Sequence, residues 1–207
     1  MNYLAHIYLA RHSDDAMVGA LLGDFVKPRS DEQFNAVMQA EILTHRKVDS
    51  FTDSHPTVLA AKALFEGPRR RYAGIVLDVF YDHLLANQWA RYSSIPLAAF
   101  IKGFYAALAQ RDELLPANLA RLAPCMIEQD WLGSYQQYEG AEMAVRRIST
   151  RLSKNGNLMR EALIDLKKHR ATITTGFDAF FPDLIAFVES RRSAQQLQAA
   201  SHHEGRQ

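Results

Sequence analysis

Four stretches of this chain place carboxylates and imidazoles in rows where a helix normally carries apolar side chains. Met38, Ile42, His45, Asp49 and Asp53 follow one another by steps of four, three, four and four residues, which keeps all five on one helical face. Ile75, Asp78, Asp82, Leu85 and Trp89 step by three, four, three and four, and His83 lies one position round from Asp82. Met17, Leu21 and Asp24 form a third row that ends just ahead of Pro28, and His6 interrupts the apolar set Tyr3, Leu4, Ile7 and Leu9. A buried carboxylate without a partner costs several kcal/mol, so these rows require counter-charge. A divalent cation supplies it, and two ligands four residues apart on one helix reach a single ion. Oxygen and imidazole donors suit magnesium, manganese, iron or zinc, and the excess of carboxylates over imidazoles favours manganese or magnesium. The competing reading has no metal: Asp49 pairs with Arg46 at the surface, Asp53 caps the next helix, and Asp78 faces water.

The elements that must position these groups are helices. Apolar spacing of three and four runs through almost every long segment, and period-two alternation is nearly absent, so an all-α, single-domain helical bundle is expected. Helices are expected over residues 1–11, 14–25, 31–54, 56–65, 70–92, 96–108, 116–129, 134–151, 158–180 and 182–191. Pro56 ends the helix that carries His45, because a residue ahead of proline is pushed out of helical geometry, and His55 reads as a turn residue. Pro96, Pro116 and Pro182 sit where helices should start. The domain is expected to span residues 1–192. Residues 193–207 lose the apolar stripe and read as a flexible tail, which makes His202 and His203 poor ligands.

Composition narrows the classes. The 207 residues are 48% hydrophobic and 23% charged, the balance of a folded globular domain. A net charge of +1 gives no general attraction for nucleic acid. The single cysteine, Cys125, rules out an internal disulfide and a thiolate metal cage, and it reads as a packing residue. No secretory leader and no uninterrupted apolar run of spanning length stand out, so a cytoplasmic location is expected.

Four motifs taken together, Asn2-x-Leu4-Ala5-His6, Gly23-Asp24-Phe25, His45-Arg46-x-x-Asp49-x-x-Thr52-Asp53-x-x-Pro56 and Asp78-x-x-x-Asp82-His83-x-Leu85, resemble the signature of the acyl carrier protein phosphodiesterases. The order matches too, and the resemblance reaches to about Arg191. It implies an HD-domain-like fold, since that family is regarded as a divergent branch of the HD-domain phosphohydrolases. These are all-helical and hold their ion with a histidine, a His-Asp pair and a further aspartate. This chain has no His-Asp dipeptide, and Asp82-His83 is its reverse. The resemblance further implies manganese- or magnesium-dependent hydrolysis of the bond between a serine of holo-acyl carrier protein and its 4′-phosphopantetheine arm.

On that reading Asp24, His45, Asp49, Asp82 and His83 form the ligand pool, with Asp24 at the reacting centre. Asp78 orients an imidazole, Arg46 clamps the phosphate and His6 donates a proton. Acyl carrier proteins are small and acidic, so a basic docking face is expected. Arg69, Arg70 and Arg71, just upstream of the helix bearing Asp78, are the first choice. Arg146, Arg147, Arg151 and Lys154 form a second cluster, and Lys167, Lys168 and Arg170 a weaker third. Two alternatives stand beside this: an HD-like hydrolase of a nucleotide or other small phosphate ester, and a non-catalytic helical module whose buried carboxylates pair with arginines. A haem-binding helical fold has little use for so many aspartates.

Overall fold

A computed structural model describes residues 1–27 and 33–204, with side chains up to residue 194. Among the described residues there is no strand, and the helices are α1 (Tyr3–Leu9), α2 (Asp14–Leu22), α3 (Ala36–Ser54), α4 (Pro56–Ala63), α5 (Ala73–Asn87), α6 (Leu97–Ala109), α7 (Ala117–Glu128), α8 (Trp131–Ser134), α9 (Tyr138–Ser149), α10 (Gly156–Lys168) and α11 (Arg170–Glu204). The all-α expectation is met. Helix starts follow local chemistry: the Ser13 hydroxyl accepts the Ala16 N–H at 3.1 Å, and the Asn35 carbonyl oxygen accepts the Met38 N–H at 3.0 Å. His55 does the same for α4, its ring accepting from the Thr57 N–H ahead of a chain that turns at Pro56.

Several boundaries differ from the periodicity. Residues Gly67–Tyr72 form a 3₁₀ turn, so α5 begins at Ala73 and not near Arg70. The region expected as one helix over 134–151 is split between α8 and α9, and Pro96 and Pro116 sit one residue before their helices. The break expected at Pro182 falls instead at His169, and α11 runs through the proline. Pro182 lies on the exposed face of the helix. Phe177, Phe180, Phe181, Leu184 and Val188 are buried on both sides of it, and their burial outweighs a helix-interior proline cost of about 3 kcal/mol. By length and composition Arg170–Ala194 is apolar enough to span a bilayer, and one face of it, Ile173, Phe177, Phe180, Phe181, Leu184 and Val188, is packed in the core. Pro28, expected to stop the second helix, lies outside the described residues, as do the side chains beyond residue 194, those of His202 and His203 among them; the backbone of the expected tail continues α11 as far as Glu204.

The site depends on α1, which is too short to persist alone. Leu4, Ala5, Ile7, Tyr8 and Leu9 are all buried, and α1 packs against α2 and α5. Its first N–H groups would be orphaned there. Asp82 on α5 answers them, with Oδ2 accepting from Leu4 N at 2.7 Å and Oδ1 from Ala5 N at 3.0 Å. The second constraint is close packing of α2 on α3 through Gly19 and Gly23. A Cβ on Gly19 would stand 2.7 Å from Met38 Cα, and one on Gly23 would overlap the His45 ring. Buried ion pairs complete the frame. Arg192 of α11 makes two 2.9 Å bonds to Glu41 of α3 and donates to the Leu9 carbonyl, while Arg69 clamps Asp165 of α10. Cys125 packs half-buried against the core.

Replacing Asp82 by alanine leaves two buried N–H groups unmet and is expected to cost roughly 2–4 kcal/mol, read as a lowered denaturation midpoint. An unchanged midpoint would show that Asp82 does not hold α1. Gly23→Ala is expected to lose about 1–3 kcal/mol and to displace the His45 ring resonances in an NMR spectrum, whereas Gly103→Ala, in open space, should do neither.

Candidate metal centre

Three helices bring four ionisable side chains together. α1 supplies His6, the turn after α2 supplies Asp24, and α3 supplies His45 and Asp49 one turn apart. The rings of His6 and His45 stack with centroids 3.6 Å apart and planes 11° from parallel. His45 Nδ1 lies 2.7 Å from the Ala20 carbonyl and so carries a proton toward it, which turns Nε2 toward the carboxylates. That Nε2 is 3.2 Å from Asp49 Oδ2 and 3.4 Å from Asp24 Oδ1. His6 Nε2 is 3.1 Å from Asp49 Oδ1 and 3.2 Å from the Met1 carbonyl. One ligand atom from each of His6, His45 and Asp49 fits within a 4.8 Å span, and Asp24 joins from the open side. The imidazoles form a buried floor, with side chains 1% and 3% exposed, and the carboxylates form the mouth, each 42% exposed.

Opposite charges meet at one point. Burial pulls the His45 pKa down, but hydrogen bonds and charge from Asp24 and Asp49 overcome it and hold it at about 9. Burial and the neighbouring His45 charge push His6 down to about 4. Burial raises Asp49, yet contacts with His45, His6 and the Met1 amine outweigh it and hold its carboxyl well below the usual range; Asp24 is lowered through His45 in the same way. The result is one protonated imidazole, one neutral imidazole and two carboxylates around a common point. Two Nε2 donors and two carboxylates fit a divalent cation, which would take the place of the His45 proton. By contrast, the arginine pairing expected of a non-catalytic module is found at Glu41 and Asp165, away from this cluster.

The other expected ligands lie elsewhere. Asp82 is fully buried with both oxygens engaged by α1, so it caps a helix instead of facing the cluster. Burial pushes its pKa up to about 7 against the pull of those two N–H groups. His83 points to the far side of α5, with Nδ1 2.8 Å from the Tyr135 carbonyl and its ring against Phe80 and Tyr138. A one-position step round the helix, about 100°, separates these two residues from each other and both from the cluster. Asp78 orients no imidazole: it pairs with the Met1 amine at 3.0 Å, which also lies 3.4 Å from Asp49. That amine is raised to about 10, because the aspartates outweigh its burial.

Arg46 donates to the Val26 carbonyl at 3.2 Å and so fastens the chain just beyond Asp24. His6, expected as a proton donor, stands inside the cluster with its pKa depressed, a poor acid near neutrality. Asp53 does not cap α4; it pairs with Lys62 at 2.6 Å. In the first basic cluster Arg69 is held by Asp165, Arg70 donates to the Phe65 and Ala63 carbonyls, and Arg71 lies over the Tyr72 ring. Sequence reasoning missed Gly23 as the residue that admits His45, and Glu41, which sits four residues before His45 on the same face and is buried against Arg192. The spacing of Gly19 and Gly23 was the available signal.

Comparison with known proteins agrees with the motifs. The family model for acyl carrier protein phosphodiesterase matches residues 1–184. The acyl carrier protein phosphodiesterase of Enterobacter sp. strain 638 is 28% identical over 193 residues, covering 93% of this chain and all of the relative. That of Escherichia coli O157:H7 strain EC4115 is 31% identical, covering 90% of this chain and 96% of the relative, and that of Photorhabdus laumondii is 30% identical over 92% and 96%. No solved structure matches the chain. With its four motifs in order and the family model matched across most of its length, the chain belongs to the acyl carrier protein phosphodiesterase family.

Proposed function

We propose that this protein hydrolyses the phosphodiester that joins a serine of holo-acyl carrier protein to its 4′-phosphopantetheine arm, using a divalent ion held by His6, Asp24, His45 and Asp49. The carrying observation is the convergence of two imidazole nitrogens and two half-exposed carboxylates from three helices. That donor count is the one expected of an HD-like centre. Manganese or magnesium suits the carboxylate share, and a cytoplasmic site of action goes with the reading.

In the reaction, water oxygen bonds to phosphorus, the bond to the serine oxygen breaks, and that oxygen takes up a proton, giving apo-carrier protein and 4′-phosphopantetheine. When bound, a divalent ion supplies Lewis acidity toward the phosphoryl oxygens and lowers the pKa of a neighbouring water. The chain supplies the rest. The Ala20 carbonyl fixes the His45 tautomer, and Asp82 fixes the helix that carries His6. Asp49 is oriented by both imidazoles, and Asp78 backs it through the Met1 amine. Asp24, at the mouth, is placed to receive a proton from the attacking water. Arg46 keeps the Asp24 turn in register, which leaves phosphate contact to other cations at the rim.

Two outcomes are expected. Incubated with holo-acyl carrier protein and manganese, the protein should remove the arm, read as a loss of the phosphopantetheine mass by intact-protein mass spectrometry. Chelator or Asp24→Ala should abolish that loss. An unchanged mass with folded protein under every metal tried would turn the reading to a smaller phosphate ester. The second concerns protons: since His45 holds its proton up to about pH 9, ion binding at neutral pH must displace it. Affinity for manganese should therefore rise by up to roughly tenfold for each unit by which the pH is increased toward 9, with about one proton released per ion. Calorimetry in two buffers of different ionisation enthalpy measures this, and a release of no protons would contradict it.

A further inference from the structure

Arg69 and Arg70 are tied into the fold, so a basic face for an acidic partner must lie elsewhere, and α9 supplies one. Glu139 and Glu142 occupy its first half, while Arg146 and Arg147 stand in its last turn and Arg151 and Lys154 follow. Arg146, Arg151 and Lys154 are exposed, and among the described residues no carboxylate lies within ion-pair distance of any of the four. Arg147 is held upright: its guanidinium lies 4.7 Å over the Trp131 ring and donates to Gln129 at 3.1 Å. Met143, 49% exposed, precedes Arg147 by one turn, so an apolar side chain sits beside the cations on one face.

This face reaches the metal centre through Tyr3. Asn2, Tyr3, Arg147 and Arg151 line one small pocket, in which Asn2 also donates to the Tyr135 hydroxyl at 2.6 Å. Burial pushes the Tyr3 phenol up; the Asp24 charge adds to this and the Arg151 charge opposes it, so both act on one hydroxyl. Tyr3 links the two regions, since it shares this pocket with Arg147 and Arg151 and its ring lies 6.3 Å from that of Phe25, the residue after Asp24.

We infer that Arg147 and Arg151, with Met143 beside them, form the surface that docks the acidic carrier protein and guides its phosphodiester past Tyr3 to the mouth at Asp24. This rests on the proposed function for the identity of the partner, not for the existence of the face. An anionic protein gains from this arrangement because, among the described residues, no carboxylate neutralises these cations. A rigid guanidinium over Trp131 and an exposed methionine are the side-chain types that anchor interfaces.

The test uses the full chain and measures two things separately: steady-state hydrolysis of holo-acyl carrier protein, and binding of apo-acyl carrier protein, which has no arm to cleave, by surface plasmon resonance. Arg151→Glu, at an exposed position, and the double variant Arg147→Glu with Arg151→Glu should raise KM for the holo-carrier about tenfold or more, with a smaller effect on kcat and a matching loss of apo-carrier affinity. Arg151→Lys should restore most of it, and Arg71→Glu should change KM by less than about twofold. KM and affinity within about twofold of the parent in Arg151→Glu, or an equal loss in Arg71→Glu, would overturn the assignment. A parent that binds the apo-carrier through Arg151 yet leaves the holo-carrier intact would keep the docking face and discard the proposed reaction; a parent that neither binds nor cleaves would overturn both.

Discussion

Two imidazole rings stacked 3.6 Å apart cannot both hold a proton without strong repulsion, and the carboxylate of Asp49 lies against both. That arrangement fixes the charge of the centre. His45 keeps the proton because Asp24 and Asp49 both face it, and His6 gives its own up. Nothing else in the fold would hold two histidines face to face in a buried position. A cation that replaces the His45 proton relieves the repulsion while meeting both carboxylates, so the cluster is better matched to an ion than to any internal partner.

The surrounding structure serves that contact. α1 has seven residues, and its place in the core is secured by burial on all sides and by the Asp82 cap. α3 comes close enough to α2 for His45 to reach the Ala20 carbonyl only because Gly19 and Gly23 lack side chains. Glu41 with Arg192 binds the end of α1 to α3 and α11. The most buried carboxylates, Asp82, Asp165 and Glu41, are therefore structural, and the two of the cluster, Asp24 and Asp49, are half-exposed.

This inverts the logic by which the sequence is read. Apolar periodicity correctly gives an all-helical chain, and the row through Met38, Ile42, His45 and Asp49 does run from core to mouth. The same reasoning fails on α5, because periodicity says that Asp82 faces inward without saying what it meets there. The backbone N-terminus of a helix nearly 80 positions away, not a metal, is the partner that Asp82 meets there. Adjacency in sequence also misleads for His83, which one step of helix rotation carries to another face. His6 was visible as an anomaly in an apolar helix, but its role follows from the stacking on His45, a long-range contact. The Pro182 expectation failed for a related reason, since core packing of α11 overrides a local helix breaker on the exposed face.

Family membership and local geometry converge on phosphodiester hydrolysis, but the central claim is about which side chains hold the ion. Pulsed electron paramagnetic resonance of the manganese-loaded protein addresses it directly, because imidazole nitrogen bound to manganese modulates the echo. The account predicts nitrogen modulation in the parent protein, reduced in His6→Ala and in His45→Ala and unchanged in His83→Ala. Modulation that survives both of the first two substitutions and disappears in His83→Ala would place the ion on α5 and contradict the account.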